Sequence, residues 1–127
     1  MNTWSRIILI APERPAHVLR RFAIRTRVSL STGQLVLLAE TFRLLGDPTR
    51  LRILMFCLNQ PRAVGDIAGS LGLSQTLVSH HLRLLRGGRL MRGVRQSRQI
   101  FYEVANRHVS DVLSDMASHI QEGHAED

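Results

Sequence analysis

His108 and His119 lie eleven residues apart in the stretch NRHVSDVLSDMASHIQE, near the end of this 127-residue chain. At about 100° per residue that spacing makes three full turns plus roughly 20°, so both rings share one stripe of a helix. A rise of about 1.5 Å per residue sets them roughly 16 Å apart, too far for one metal ion to touch both. Two antiparallel copies of the helix would change this, because His108 of one chain would then lie beside His119 of the other. Asp111 and Asp115 occupy the same stripe, so a solvated polar face, with Asp115 paired to His119, is the alternative reading. The adjacent pair His80 and His81 is a poorer chelator, since neighbouring helical residues diverge by about 100°.

A second constellation suits a polyanion. In SQTLVSHHLRLLR, Gln75, Ser79, Arg83 and Arg86 recur at spacings of four, four and three on one helical face, flanked by Thr76 and His80. Val78, Leu82 and Leu85 take the opposite, core-facing side. All 17 basic residues are arginine. Residues 50–98 hold nine arginines against Asp66 alone, a local +8, whereas residues 103–127 hold six acids against Arg107, a local −5. A basic block followed by an acidic helix implies a surface for an anionic polymer joined to a part that avoids it.

Around these groups the chain reads as helices and one hairpin. QLVLLAETFRLLG has helical apolar spacing from Gln34 and stops at Gly46; Asp47 then caps a second helix with Pro48 in its first turn. That helix, LRILMFCLNQ, is expected to bury Leu51, Leu54, Met55 and Leu58. AVGDIAGSLG predicts a short helix, a turn at Gly72, and then the basic helix, capped by Ser74 and stopped by Gly87-Gly88: helix-turn-helix grammar. RLMRGVRQSRQIFYEV predicts a β-hairpin, with Ile100, Tyr102 and Val104 alternating toward one face and Arg95 and Arg98 at a basic tip.

The length suits one domain. Residues 1–30, with six arginines, one acid and two prolines, read as a basic extension, either a disordered arm or a docked helix. Its apolar run is too short for a membrane span and it is not read as a secretory signal. A lone cysteine, Cys57, reads as a buried thiol in a reducing cytoplasm.

LLGDPTRLRIL, VGDIAGSLGLSQTLVSHHLRLLR and RQSRQIFYEVANRHV resemble the ArsR/SmtB family of bacterial winged-helix repressors. The resemblance implies an α+β, mostly helical fold: a winged helix-turn-helix over residues 31–122, with a two-stranded β-hairpin wing and a short tail at 123–127. It also implies a homodimer paired through the first and last helices, binding inverted-repeat operator DNA and letting go when an inducer binds. Gln75, Thr76, Ser79 and His80 would then reach base edges. Arg83 and Arg86, with Arg95 and Arg98 on the wing, would hold the DNA backbone.

Members of the family that sense soft metals through thiolates carry cysteines where this chain has Ala63 and Gly65, so that site is absent. Zinc and nickel/cobalt members place ligands on the last helix as Asp-x-His, ten residues, then His-x-x-Glu or His-x-x-His. Here Asn106-Arg107-His108 precedes His119-Ile120-Gln121-Glu122 with the same spacing. The implied set is His108 of one chain with His119 and Glu122 of the other. Asn106 departs from the pattern and is also a good helix N-cap. The fourth ligand is left open between water, the Asn106 oxygen and His124. Imidazole with carboxylate suits Zn(II) first and Ni(II) or Co(II) second. The expected function is a metal-responsive repressor; the alternative is a repressor of the same fold that answers another signal. A hydrolase built on the His/Glu set lacks an arranged nucleophile and base.

Overall fold

The computed structural model describes residues 28–125, with side chains through residue 123. The basic extension and the C-terminal tail therefore lie largely outside the described residues, as does the His124 side chain. The elements run α1 (Thr32–Leu45), α2 (Pro48–Phe56), β1 (Arg62–Ala63), α3 (Val64–Leu71), α4 (Gln75–Gly87), β2 (Met91–Gln96), β3 (Gln99–Val104) and α5 (Arg107–Ala125).

Local chemistry explains most boundaries. α1 opens two residues before Gln34 because Ser31 and Gln34 form a reciprocal capping box: Ser31 Oγ accepts from Gln34 N at 3.1 Å, and Gln34 Oε1 accepts from Ser31 N at 2.9 Å. Asp47 caps α2 by accepting from Arg50 N at 2.9 Å. Arg50 in turn donates to the Leu44 carbonyl at 2.7 Å, satisfying an acceptor at the end of α1. The turn between α3 and α4 is made at Gly72, whose φ of 68° no branched side chain would tolerate cheaply.

The end of α4 uses glycine differently. Arg89, not Gly88, takes the left-handed conformation, at φ 60°. Leu90 N donates to Leu85 O and Arg89 N to Arg86 O, the pair of bonds of a Schellman motif. At Gly88 it is packing that favours glycine, because a Cβ there would force the end of the Leu44 side chain of α1 to shift.

The core gathers one face from each helix. Val78, Leu82 and Leu85 of α4 are at most 1% exposed, each burial stabilising by about 1.5–3 kcal/mol. Ile67 and Ala68 of α3, Leu44 of α1, Leu90, Met91 and Leu113 of α5 complete it with α2. On α2 the expected face is rotated: Ile53, Leu54 and Cys57 are buried, whereas Met55 is 38% exposed and Leu51 and Leu58 are only partly covered. From Leu51 to Leu58 every residue but Arg52 is apolar, so the pattern does not set the phase and packing does. The buried Cys57 thiol has its pKa pushed up to about 11 by burial, which keeps it an unreactive core group at neutral pH.

The expected two-stranded hairpin is present as β2 and β3, and among the described residues a third antiparallel strand joins it, in the order β1-β3-β2. β1 pairs Arg62 with Tyr102 and Ala63 with Phe101; two residues are too few to show the alternation by which a strand is read. The hairpin pairs Met91 with Val104 through to Gln96 with Gln99, leaving Ser97 and Arg98 at the tip. Tyr102 and Val104 pack on the core, but Ile100 is 42% exposed because the hairpin projects beyond it.

His81 sits on the inner side of α4, 9% exposed, and its Nδ1 has no hydrogen-bond partner among the described residues. Burial holds its pKa below the ordinary value of 6.5, with Asp47 opposing and Arg50 and His80 reinforcing the shift. The unfolded chain therefore binds this proton first as pH falls. The contribution of this group to stability is complete above about pH 6.5 and is lost progressively as pH falls from there through the lowered folded pKa. The Asp47 carboxyl, lowered from 3.8 by its cap hydrogen bond, contributes its own acid loss only at lower pH. Urea unfolding should thus show a lower midpoint at pH 5 than at pH 7, and His81→Gln should narrow that gap. An unchanged gap would assign the acid loss elsewhere.

Candidate nucleic-acid interface and metal-ligating stripe

The outer face of α4 is held in place by the inner one. With Val78, Leu82 and Leu85 locked in the core, Gln75, Thr76, Ser79, His80, Arg83 and Arg86 are all exposed. Gln75, Thr76, Ser79, His80 and Arg83 line one shallow cleft. Ser74 caps the helix by accepting from Leu77 N at 3.1 Å. The Arg86 guanidinium stands 5.9 Å from the centroid of the Tyr102 ring on β3, so this side chain bridges helix and wing. Arg95 and Arg98 are exposed on the hairpin.

Not every arginine of the basic block is offered to solvent chemistry. Arg50 bonds the Leu44 carbonyl, and Arg52 the Leu71 carbonyl at 3.0 Å. Arg62 lies 4.3 Å over the Phe56 ring, and Arg92 pairs with Glu103 at 2.6 Å. Arg83, Arg86, Arg89, Arg95 and Arg98 have no carboxylate partner among the described residues. Arg89 is the member that sequence reading passed over; its spacing of three from Arg86 was the available signal.

The stripe on α5 is equally well placed. His108 and His119 are exposed and Glu122 is partly covered. Glu122 follows His119 by three residues on the same helix, and so lies beside it. The described residues of one chain contain no group of three His, Cys, Asp or Glu side chains able to hold a metal. Asp111 pairs with Arg107 at 3.7 Å. Asn106 is the N-cap of α5: its Oδ1 accepts from Val109 N at 3.1 Å.

The stripe has an apolar neighbour. Val112, Met116 and Ile120 are 50–54% exposed and fall about 40–120° around the helix from His108. Leu113, further round, is 7% exposed in the core. On α1, Leu35, Val36, Leu37, Leu38 and Phe42 are 44–69% exposed. A contiguous exposed apolar surface of this kind marks a site of contact with a partner.

The family model for bacterial regulatory proteins of the arsR family matches residues 47–92. A transcriptional repressor SmtB homolog of Synechocystis is 38% identical over 93 residues, covering 73% of this chain and 70% of that protein. The HTH-type transcriptional regulator NmtR of Mycobacterium tuberculosis is 38% identical over 86 residues, covering 68% and 72%. Among solved structures, a homodimeric winged helix-turn-helix DNA-binding domain from Mycobacterium bovis superposes with a TM-score of 0.67 at 25% identity, over 76% of this chain and 92% of that one. NolR from Sinorhizobium fredii does so at 0.63 and 29% identity, over 72% and 94%. A helix-turn-helix with an exposed reading face, a basic wing and these relatives have one consistent explanation: the chain belongs to the arsR family of bacterial regulatory proteins and has its winged helix-turn-helix fold.

Proposed function

We propose that this protein is a cytoplasmic, metal-responsive repressor that binds operator DNA as a metal-free homodimer and is released by Zn(II), or by Ni(II) or Co(II). The observation that carries the reading is the stripe of exposed His108 and His119 with partly covered Glu122, bordering an uncovered apolar stripe on the same helix. A second copy packed antiparallel on Val112, Met116 and Ile120, together with the apolar face of α1, buries both surfaces. It also brings His108 of one protomer to His119 and Glu122 of the other, twice per symmetric dimer. Two imidazoles and a carboxylate are a donor set for zinc, nickel or cobalt. When bound, the ion supplies a cross-link between the two protomers.

DNA recognition follows from α4 and the hairpin. In the dimer two copies of α4 enter successive major grooves about 34 Å apart. Gln75, Thr76, Ser79 and His80 meet base edges, and Arg83, Arg86, Arg95 and Arg98 hold the backbone. The last helix is tied to the reading helix through the core, where Leu113 packs in one cluster with Leu82 and Leu85. Fixing the two copies of α5 against each other therefore bears on the spacing of the reading helices.

The test is DNA binding by metal-free protein, on an operator selected from a random-sequence pool, titrated in parallel with zinc, nickel and cobalt. One of the three should weaken binding about 5–150-fold, the ordinary range of a coupling between two sites. If binding is tight and none of the metals changes it, the protein is a repressor of the same fold that answers another signal.

A further inference from the structure

Asn106 stands where the resemblance calls for a carboxylate, and its hydrogen bonds say what it can still do. Its Oδ1 accepts from Val109 N at 3.1 Å, and its backbone oxygen accepts from Ser110 N at 3.3 Å. Because Val109 N–H is a donor, the side-chain atom facing it must be the oxygen. The other terminal atom is then Nδ2, an amide nitrogen that donates hydrogen bonds and offers no lone pair to a cation. A metal would have to share Oδ1 with the helix end. There the unpaired N–H groups of α5 carry partial positive charge, and a neutral amide brings nothing to offset it. An aspartate at this position would face no such conflict: one oxygen caps the helix and the other, charged, is left for the metal.

We infer that Asn106 caps and does not ligate, so that each intersubunit site has three protein donors and one position open to a small anionic donor from solution. This rests on the proposed metal reading. The three donors are His108 of one protomer with His119 and Glu122 of the other. Two neutral imidazoles and one carboxylate leave a divalent ion with a residual charge of about +1, which favours an anion over a neutral ligand at the open position. The site differs in this from a four-donor closed site, and its metal answers to what the surrounding solution supplies.

The probe is cobalt(II) alone, added to the full chain and followed by visible absorption with and without sodium azide. The wild-type cobalt spectrum should shift saturably with azide, and His124→Ala should behave the same way. Asn106→Ser keeps a capping oxygen and should leave cobalt affinity within about twofold and the azide response intact. Asn106→Asp keeps the cap and adds a free oxygen. It should bind cobalt on the order of tenfold more tightly or better and lose the azide response. An azide-insensitive wild-type spectrum overturns the inference, as does tenfold weaker binding in Asn106→Ser. A response that appears only in His124→Ala overturns it by making His124 the fourth donor. Absence of cobalt binding, or a spectrum unchanged in His108→Ala, is a different failure: it removes the metal site itself and the inference with it.

Discussion

Raising the salt concentration from about 50 to 200 mM should weaken DNA binding roughly a thousandfold. A dimer presents two copies each of Arg83, Arg86, Arg95 and Arg98, all exposed. If about six of these eight guanidinium groups neutralise phosphates, the log–log slope is near −5, and a fourfold salt increase costs about three decades. The structure sharpens which arginines to count. Arg50, Arg52, Arg62 and Arg92 are engaged within the fold by carbonyls, a ring and Glu103, so their removal should disturb stability before it disturbs DNA binding. Arg83→Ala, lost twice per dimer, should lower the slope by about 2 and weaken binding to every sequence alike. Gln75→Ala should leave the slope unchanged and cost about 1–3 kcal/mol of discrimination at the base it reads. A measured slope near zero would mean that the basic face of α4 and the wing does not meet the DNA backbone.

How much of this was legible beforehand depended on whether a segment alternates. In α4 the polar and apolar residues are cleanly sorted by 3.6-residue periodicity, so both its buried Val78, Leu82 and Leu85 and its exposed reading set were readable. In α2 the stretch from Leu51 to Phe56 is apolar at every position but Arg52, no face stands out, and Met55, expected inside, lies outside. The two-residue strand β1 has no pattern at all; it exists because β3 has an open edge beside it. Composition gave the basic block its size but not its division of labour, since whether an arginine meets a carbonyl, a ring or solvent is decided by residues distant in sequence. Arg86 over Tyr102 spans sixteen positions. Asn106 lay between these extremes. Its capping role followed from residue type and position, but the commitment of its oxygen to Val109 needed the helix to be built.

Two variants that each fail alone should together recover half of the metal. His108→Ala and His119→Ala homodimers should bind no tight zinc and show no zinc-induced release, because each variant removes one donor from both symmetric sites. Metal-free DNA binding should stay nearly intact in both, since the two histidines are exposed on α5 and take no part in the α4 face. In the mixed dimer the losses fall unequally. One site lacks both histidines, while the other combines His108 from the His119→Ala chain with His119 and Glu122 from the His108→Ala chain. About one zinc should therefore bind per mixed dimer, against about two for wild type and none for either homodimer. Co-expression with two affinity tags isolates the mixed species, and metal content measured after exhaustive dialysis reads the result. Sites built within single chains would each be short of a histidine in that mixture, and no zinc would remain. The roughly 16 Å between the two rings of one helix argues for the first outcome. A mixed dimer empty of zinc beside a fully loaded wild type would refute the cross-dimer site.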